Sequence, residues 1–170
     1  MKIMIIGRPG CGKSTFARHL QAKWNLPLYH LDKYFYEANW VERNYAEFIQ
    51  DQVALIKQKA WIIDGNCTKS FELRYQQADY CLYFNMPKWL CYYRVYKRLL
   101  LNNRELSDKA AGCKEAVRWS LIKYMWGYSR RVDAVLSELQ KKYPAVKFME
   151  VNNDAQTDAL LEKINLLNEN

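Results

Sequence analysis

The 170-residue sequence predicts a three-layer α/β fold, a five-stranded parallel sheet flanked by helices, on three observations. Five strand-length apolar runs alternate with helical patterns, which is the order that parallel βαβ units require. Ile3–Ile6, Trp61–Ile63 and Tyr80–Phe84 are apolar throughout instead of alternating with polar residues, as strands covered on both faces are. A glycine-rich segment, Gly7-Arg8-Pro9-Gly10-Cys11-Gly12-Lys13-Ser14, joins the first of these runs to a helix.

Taken in order, Lys2–Ile6 is the first strand and Ser14–Trp24 the first helix, with Phe16, Leu20 and Trp24 four apart on one face. Asn25 and Pro27 end that helix, and Leu28–Leu31 is a short second strand that delivers Asp32 at its carboxyl end. An aromatic-rich loop, Tyr34 to Trp40, precedes a helix from about Tyr45 to Lys59. Asn44 and Glu47 have capping-box spacing there, and Tyr45, Phe48, Ile49, Val53 and Ile56 make a buried stripe. The third strand, Trp61–Ile63, ends in Asp64-Gly65-Asn66, and a short helical stretch, Phe71–Arg74, leads to the fourth, Tyr80–Phe84, and Asn85. Pro87 suits the first turn of a helix that carries Arg94 and Arg98 to about Leu101. Asn102 to Gly112 interrupts the pattern, and one long helix is expected from Lys114 to Lys142, with Trp119, Ile122 and Trp126 in the core and Arg130 and Arg131 as surface charges. After Pro144, Val146–Val151 is the fifth strand, and Leu160, Leu161, Ile164 and Leu167 mark a closing helix.

The glycine-rich segment fits G-x-x-x-x-G-K-[S/T], a loop whose backbone N–H groups wrap a polyphosphate at the positive end of the following helix. Its binding residues are Gly7, Arg8, Pro9, Gly10, Cys11, Gly12, Lys13, Ser14 and Thr15, with Lys13 on the β- and γ-phosphates of ATP and the Ser14 hydroxyl on Mg²⁺. In an open parallel sheet ligands bind outside the carboxyl ends of the strands. Asp32, Asp64, Asn66 and Asn85 all follow strands, so four stretches of sequence converge on one crevice. Phosphoryl transfer needs an aligned acceptor, a metal across the β- and γ-phosphates and positive charge where negative charge spreads. Asp64 suits the metal or its water shell; Asp32 suits an acceptor hydroxyl, or caps the next segment. Arg94 and Arg98, four apart on one helical face, and Arg104 beyond it suit a clamp on the transferred phosphate, or form a basic surface stripe. The Tyr34–Trp40 aromatics either stack an acceptor ring or cover the core. His19 and His30 read as surface or packing and as core, respectively.

Net charge is +8, and it is concentrated: Lys88 to Lys147 holds 14 Lys and Arg against 5 Asp and Glu. That excess fits a nucleotide's phosphates, a nucleic-acid backbone or plain solvated helix faces. Five cysteines, none in a C-x-x-C, argue against a disulfide framework or zinc site and for reduced thiols. Cys11 lies among inward-pointing amides that would lower its thiol pKa. Only four apolar residues precede Gly7, too few for a signal peptide or a membrane span, so the expected location is the cytoplasm, without membrane attachment.

Gly7-Arg8-Pro9-Gly10-Cys11-Gly12-Lys13-Ser14-Thr15, His30-Leu31-Asp32, Trp61-Ile62-Ile63-Asp64-Gly65-Asn66, Ala78-Asp79, Pro87, Cys91-x-x-Arg94-x-x-x-Arg98 and Gly112-Cys113-x-Glu115 occur in an order that resembles the P-loop kinase-like DNA topology modulation proteins, near adenylate and shikimate kinases. The resemblance implies an adenylate kinase-like P-loop NTPase fold in one domain, residues 1–170, with an acceptor-binding segment at about 33–59 and a lid at about 99–118. It implies an ATP- and Mg²⁺-dependent kinase for a small-molecule acceptor such as a nucleotide or nucleoside, acting as a monomer or homodimer. The chain departs from adenylate kinases at Asn66-Cys67-Thr68, where they carry Phe-Pro-Arg, and it lacks the triple glycine of shikimate kinases. The rival reading is a nucleic-acid-binding protein, linked to DNA topology, with ATP as a regulatory ligand. The +9 segment motivates that rival, although no DNA-reading motif is present.

Overall fold

Residues 1–100, 111–113 and 119–168 are described in a computed structural model of the chain. Strand β1 (Lys2–Gly7) leads through the glycine loop to α1 (Lys13–Trp24), and β2 (Leu28–His30) follows. The aromatic stretch is not a plain loop: it forms a one-turn helix α2 (Asp32–Phe35) and a small antiparallel hairpin, β3 (Tyr36–Glu37) with β4 (Val41–Glu42). Helix α3 (Tyr45–Ile56), β5 (Trp61–Asp64), α4 (Phe71–Tyr75) and β6 (Tyr80–Phe84) come next. The chain continues through α5 (Lys88–Leu100), α6 (Trp119–Trp126), α7 (Tyr128–Lys142), β7 (Lys147–Val151) and α8 (Asp154–Asn168).

The main sheet has the order β2-β5-β1-β6-β7 and every pairing in it is parallel. The five strands match the expected ones to within a residue or so at each end. Their side chains alternate between two cores, which is why the runs must be apolar throughout. Met4, Ile6, Trp61, Ile63, Cys81 and Tyr83 pack under α3, α4 and α7. Ile3, Ile5, Ile62, Leu82 and Phe84 pack under α1, α5 and α8, with Met125 of α6 joining them. Phe16 and Leu20 of α1 are buried as its spacing predicts, and Phe16 meets Phe84 edge to face.

Three expectations about helices are corrected. The long helix breaks at Gly127, a residue with low helix propensity, so α6 and α7 are separate; the start at Lys114 lies outside the described residues. Trp119 and Trp126 are not core but 79% and 70% exposed, because α6 turns Met125 inward instead. On α3 the buried positions are Phe48, Gln52, Leu55 and Ile56, while Tyr45 is exposed. Gln52 occupies a core position that apolar pattern-reading skips, and its Oε1 accepts a 2.9 Å hydrogen bond from Ser70. Asn44 caps this helix as its spacing implied, its side chain accepting from the amides of Ala46 and Glu47. Most of the expected lid and the side chains of Ile164 and Leu167 lie outside the described residues.

Candidate active site

The glycine loop crosses the carboxyl edge of the sheet between β1 and α1. Gly10 and Gly12 take φ of +83° and +96°, a region costly for any residue with a Cβ. A Cβ at Gly10 would also clash with the carbonyl oxygen of Cys91, so the loop is pressed against α5. Among the described residues no side chain caps the α1 N-terminus at Gly12, which leaves its first-turn amides to an anion.

Beside the loop, the parallel register sets Ile5 of β1 against Asp64 of β5, and Asp64 against His30 of β2. Asp64 is buried and gathers three groups: Ser14 donates its hydroxyl to Oδ2 at 2.7 Å, His30 Nδ1 lies 2.9 Å from the same oxygen, and Lys13 Nζ lies 3.7 Å from Oδ1. Burial pushes the Asp64 carboxyl up, but Lys13, His30 and Ser14 together outweigh it and hold the pKa below the ordinary carboxylate value. Because an ionised carboxylate only accepts, His30 must carry its proton on Nδ1. Oδ1 has no hydrogen-bond donor although it is buried, and an anionic oxygen in that condition beside the Ser14 hydroxyl suits a hard cation such as Mg²⁺.

Arg8 is held away from the phosphate side. It is buried, and its guanidinium donates to the carbonyls of Met125 and Met86 and to Ser129 Oγ, at 3.0, 3.2 and 2.7 Å. Its side chain therefore ties the loop to α6 and α7. Asn66 braces the loop from the other side, donating to the carbonyl of Gly7 at 2.5 Å and accepting from the Gly7 amide at 3.0 Å and from the Tyr128 hydroxyl at 2.9 Å. Arg74, fully buried, donates to the carbonyls of Gly65 and Cys67. Asn85 departs from the expected convergence, its side chain bonding Glu150 on β7.

Arg94 reaches the loop mouth. One guanidinium nitrogen donates to the carbonyl of Cys11 at 3.4 Å, and the other makes a fork with both Asp154 oxygens at 2.8 and 2.7 Å. Arg98 follows one turn later on the same helix, half-buried, and Arg104 lies outside the described residues. Between the loop, α5 and the start of α8 lies a cleft of ≈ 310 Å³ lined by Gly12, Thr15, His19, Arg94, Asp154 and Asp158 among others. His19 therefore faces a cleft, not plain surface.

Asp32 opens α2 immediately after Leu31, whose amide donates to the Asp64 carbonyl at 2.8 Å, so the two acids are held at one sheet edge. Across from it, the Tyr124 hydroxyl is pushed up to about 12, first by burial, against the charges of Arg131 and Lys13 and with those of Asp32 and Tyr36. Lys13, Asp32 and Tyr36 thus lie within electrostatic reach of the Tyr124 hydroxyl. Arg131 is exposed, as expected of a surface charge, but it also lies 4.7 Å over the Tyr124 ring and donates to its carbonyl.

Cys11 overturns the expectation of a lowered pKa. Its thiol points into the core, and burial pushes it up to about 12, more than Lys13 and the loop amide can offset. All five cysteines are free, and burial likewise raises Cys81 to about 12 and raises Cys91. A thiol reagent at pH 8 is expected to modify only Cys67 and Cys113 in the folded protein, with the other three reacting only in denaturant; counting labelled thiols by mass spectrometry checks this.

No protein-family model and no curated protein matches the chain. Solved structures do. A shikimate kinase from Acinetobacter baumannii in complex with shikimate superposes with a TM-score of 0.62 at 17% identity, covering 99% of this chain and 93% of that one. A shikimate kinase from Bacteroides thetaiotaomicron gives 0.53 at 15%, covering 100% and 99%. The YorR protein from Bacillus subtilis, in complex with phosphorylated GDP, gives 0.57 at 10%, covering 99% and 96%. The chain therefore shares the fold of these structures, a five-stranded parallel sheet flanked by helices.

Proposed function

We propose that the protein is an ATP- and Mg²⁺-dependent phosphotransferase that phosphorylates a small molecule, with nucleotides, nucleosides and other hydroxylated metabolites as the acceptor classes. The observation that carries this is the meeting of Lys13, Ser14 and Asp64 at the mouth of the glycine loop, with a carboxylate oxygen that accepts no hydrogen bond beside a helix N-terminus whose N-cap, Gly12, has no side chain to cap it. Loop amides from Gly7 to Thr15 would cradle the phosphates and Lys13 would hold the γ-phosphate; the cleft beside Thr15 and Arg94 would take the donor's base. Ser14 and Asp64 would hold Mg²⁺, which when bound neutralises charge across the β- and γ-phosphates. Arg94, Arg98 and Arg104 would cover the transferred group, and Asp32 would orient the acceptor hydroxyl and take its proton. For Arg94 that role requires it to exchange its fork on Asp154 for phosphate oxygens.

We assign the chain to the DNA topology modulation group on its motif order alone, as one domain over residues 1–170 that acts in the cytoplasm as a monomer or homodimer. Residues 33–59 would receive the acceptor and 99–118 would cover it. The test is ADP release from Mg–ATP over a panel of nucleoside monophosphates, nucleosides and hydroxylated metabolites, shikimate included. Stimulation by one class is expected. Asp32→Asn is expected to lower kcat with that acceptor by about 10²-fold or more, with KM for ATP little changed. ADP release that no acceptor stimulates would instead mean water is the acceptor.

A further inference from the structure

Six large apolar side chains exposed among the described residues crowd onto α5 and α6: Trp89, Tyr93, Tyr96, Leu100, Trp119 and Trp126, between 56% and 79% exposed. On α5 they fall at i, i+4, i+7 and i+11, a single stripe opposite the buried Cys91 and Val95, and on α6 the two tryptophans are seven apart, again on one face. The helices are tied together where the Tyr92 hydroxyl donates to the Ile122 carbonyl at 3.2 Å. Lys88 of α5 lies 5.3 Å over the Trp126 ring of α6, so the two helices also meet beside that tryptophan. An apolar groove of ≈ 220 Å³ runs between them, lined by Tyr92, Val95, Tyr96, Leu121, Ile122 and Met125.

Neither helix contains an Asp or Glu, while Lys88, Lys97 and Lys123 are exposed beside the rings. Large apolar side chains gathered on one exposed face mark an interaction site. Its charge chooses among partners: a second copy of the chain would bring like charge against it. An anionic bilayer would satisfy the lysines and hold Trp and Tyr rings at headgroup level, but with Leu100 the only aliphatic side chain among the six the face has little to reach the acyl chains beneath. Flat rings between cations match a strand that carries bases and phosphates together.

We infer that the α5–α6 face binds single-stranded nucleic acid, with bases lying on the Trp and Tyr rings and phosphates on the lysines. Helical rise sets the α5 rings about 4.5–6 Å apart along the axis, wider than the roughly 3.4 Å between stacked bases of a duplex strand. Successive bases must therefore separate to reach successive rings, which a duplex resists. The stripe lies opposite the core-facing side of α5. The inference stands on this surface alone, independently of the phosphotransferase reading.

Fluorescence anisotropy of the full chain with a labelled oligothymidylate of roughly a dozen nucleotides tests it at about 50 mM and about 200 mM salt. Saturable binding that weakens steeply with salt is expected, with a duplex of equal length bound at least tenfold more weakly. Trp89→Ala with Trp126→Ala is expected to weaken single-strand binding tenfold or more while the melting temperature and any ADP release stay at the wild-type level. Lys97→Glu, which disturbs no packed side chain, is expected to act in the same direction if the double variant fails to fold. Absence of binding at the lower salt, or equal binding by the variants, overturns the inference. So does binding to phosphatidylserine vesicles, or a concentration-dependent dimer, that needs these side chains when oligonucleotide does not bind.

Discussion

Lys13→Ala is expected to lower Mg–ATP turnover by about a thousandfold or more, measured as ADP release with the best acceptor. The ammonium is the cation that the fold itself places against the site carboxylate, 3.7 Å from Asp64 Oδ1, while Arg94, also at the loop mouth, is forked onto Asp154. A second, structural readout separates this from loss of fold. Asp64 has a folded pKa below its unfolded value, so it contributes stability that is present above the unfolded value of about 4 and lost as pH falls through the folded one. Lys13 is the largest of the influences that offset burial there. Without it the folded pKa rises, and the acid limb of a melting-temperature profile should begin at higher pH than in the wild type. Turnover within tenfold of wild type would remove Lys13 from the proposed mechanism; an unchanged acid limb would mean that the ion pair does not govern Asp64.

The strands and the cradle were legible because their chemistry leaves few alternatives. A strand covered on both faces has to be an unbroken apolar run, and a polyphosphate loop needs glycines where φ is positive and Lys-Ser where the helix begins. Lys13, Ser14 and Asp64 come together as expected because the edge rule for parallel sheets depends only on element order. His30 was not legible as a site residue. In an apolar strand a lone His reads as core, and it meets Asp64 only through the register of β2 on β5, a pairing across more than thirty residues.

Periodicity says which residues share a helical face, but not which face turns inward. Trp119 and Trp126 do share one, and tertiary packing buried Met125 instead; Gln52 is buried on α3 with its Oε1 bonded by Ser70, a partner that local pattern cannot supply. Arg8 shows the same limit inside a recognised motif. The loop pattern leaves its position open, and only the distant carbonyls of Met86 and Met125 reveal that the side chain is a strut. The misread tryptophans mattered most, since their exposure adds α6 to the exposed apolar stripe of α5.

Arg74→Met is expected to cost about 3–5 kcal/mol of stability, a fall in melting temperature on the order of 10 °C for a chain of this size. The guanidinium is wholly buried, lies 5.3 Å over the Phe71 ring, and donates to the carbonyls of Gly65, Cys67 and Ser70 at 3.0, 2.9 and 3.4 Å. Burial drops its pKa to about 10, against the opposing influence of Cys67, Cys81, Tyr128 and Asp64, and it stays charged at neutral pH. A base whose pKa falls on folding is itself penalised by folding, so its value to the structure lies in the carbonyls it satisfies. Methionine keeps the stem and orphans those oxygens. Arg74→Lys should rescue little, because one ammonium lacks the planar fork that spans carbonyls of the turn after β5. The same turn carries Asn66, which clasps the Gly7 backbone, so the variant should also weaken ATP binding. Thermal melts and ATP titrations of the two variants check both effects, and a Met variant that melts within about 2 °C of wild type would show that these bonds do not hold the turn.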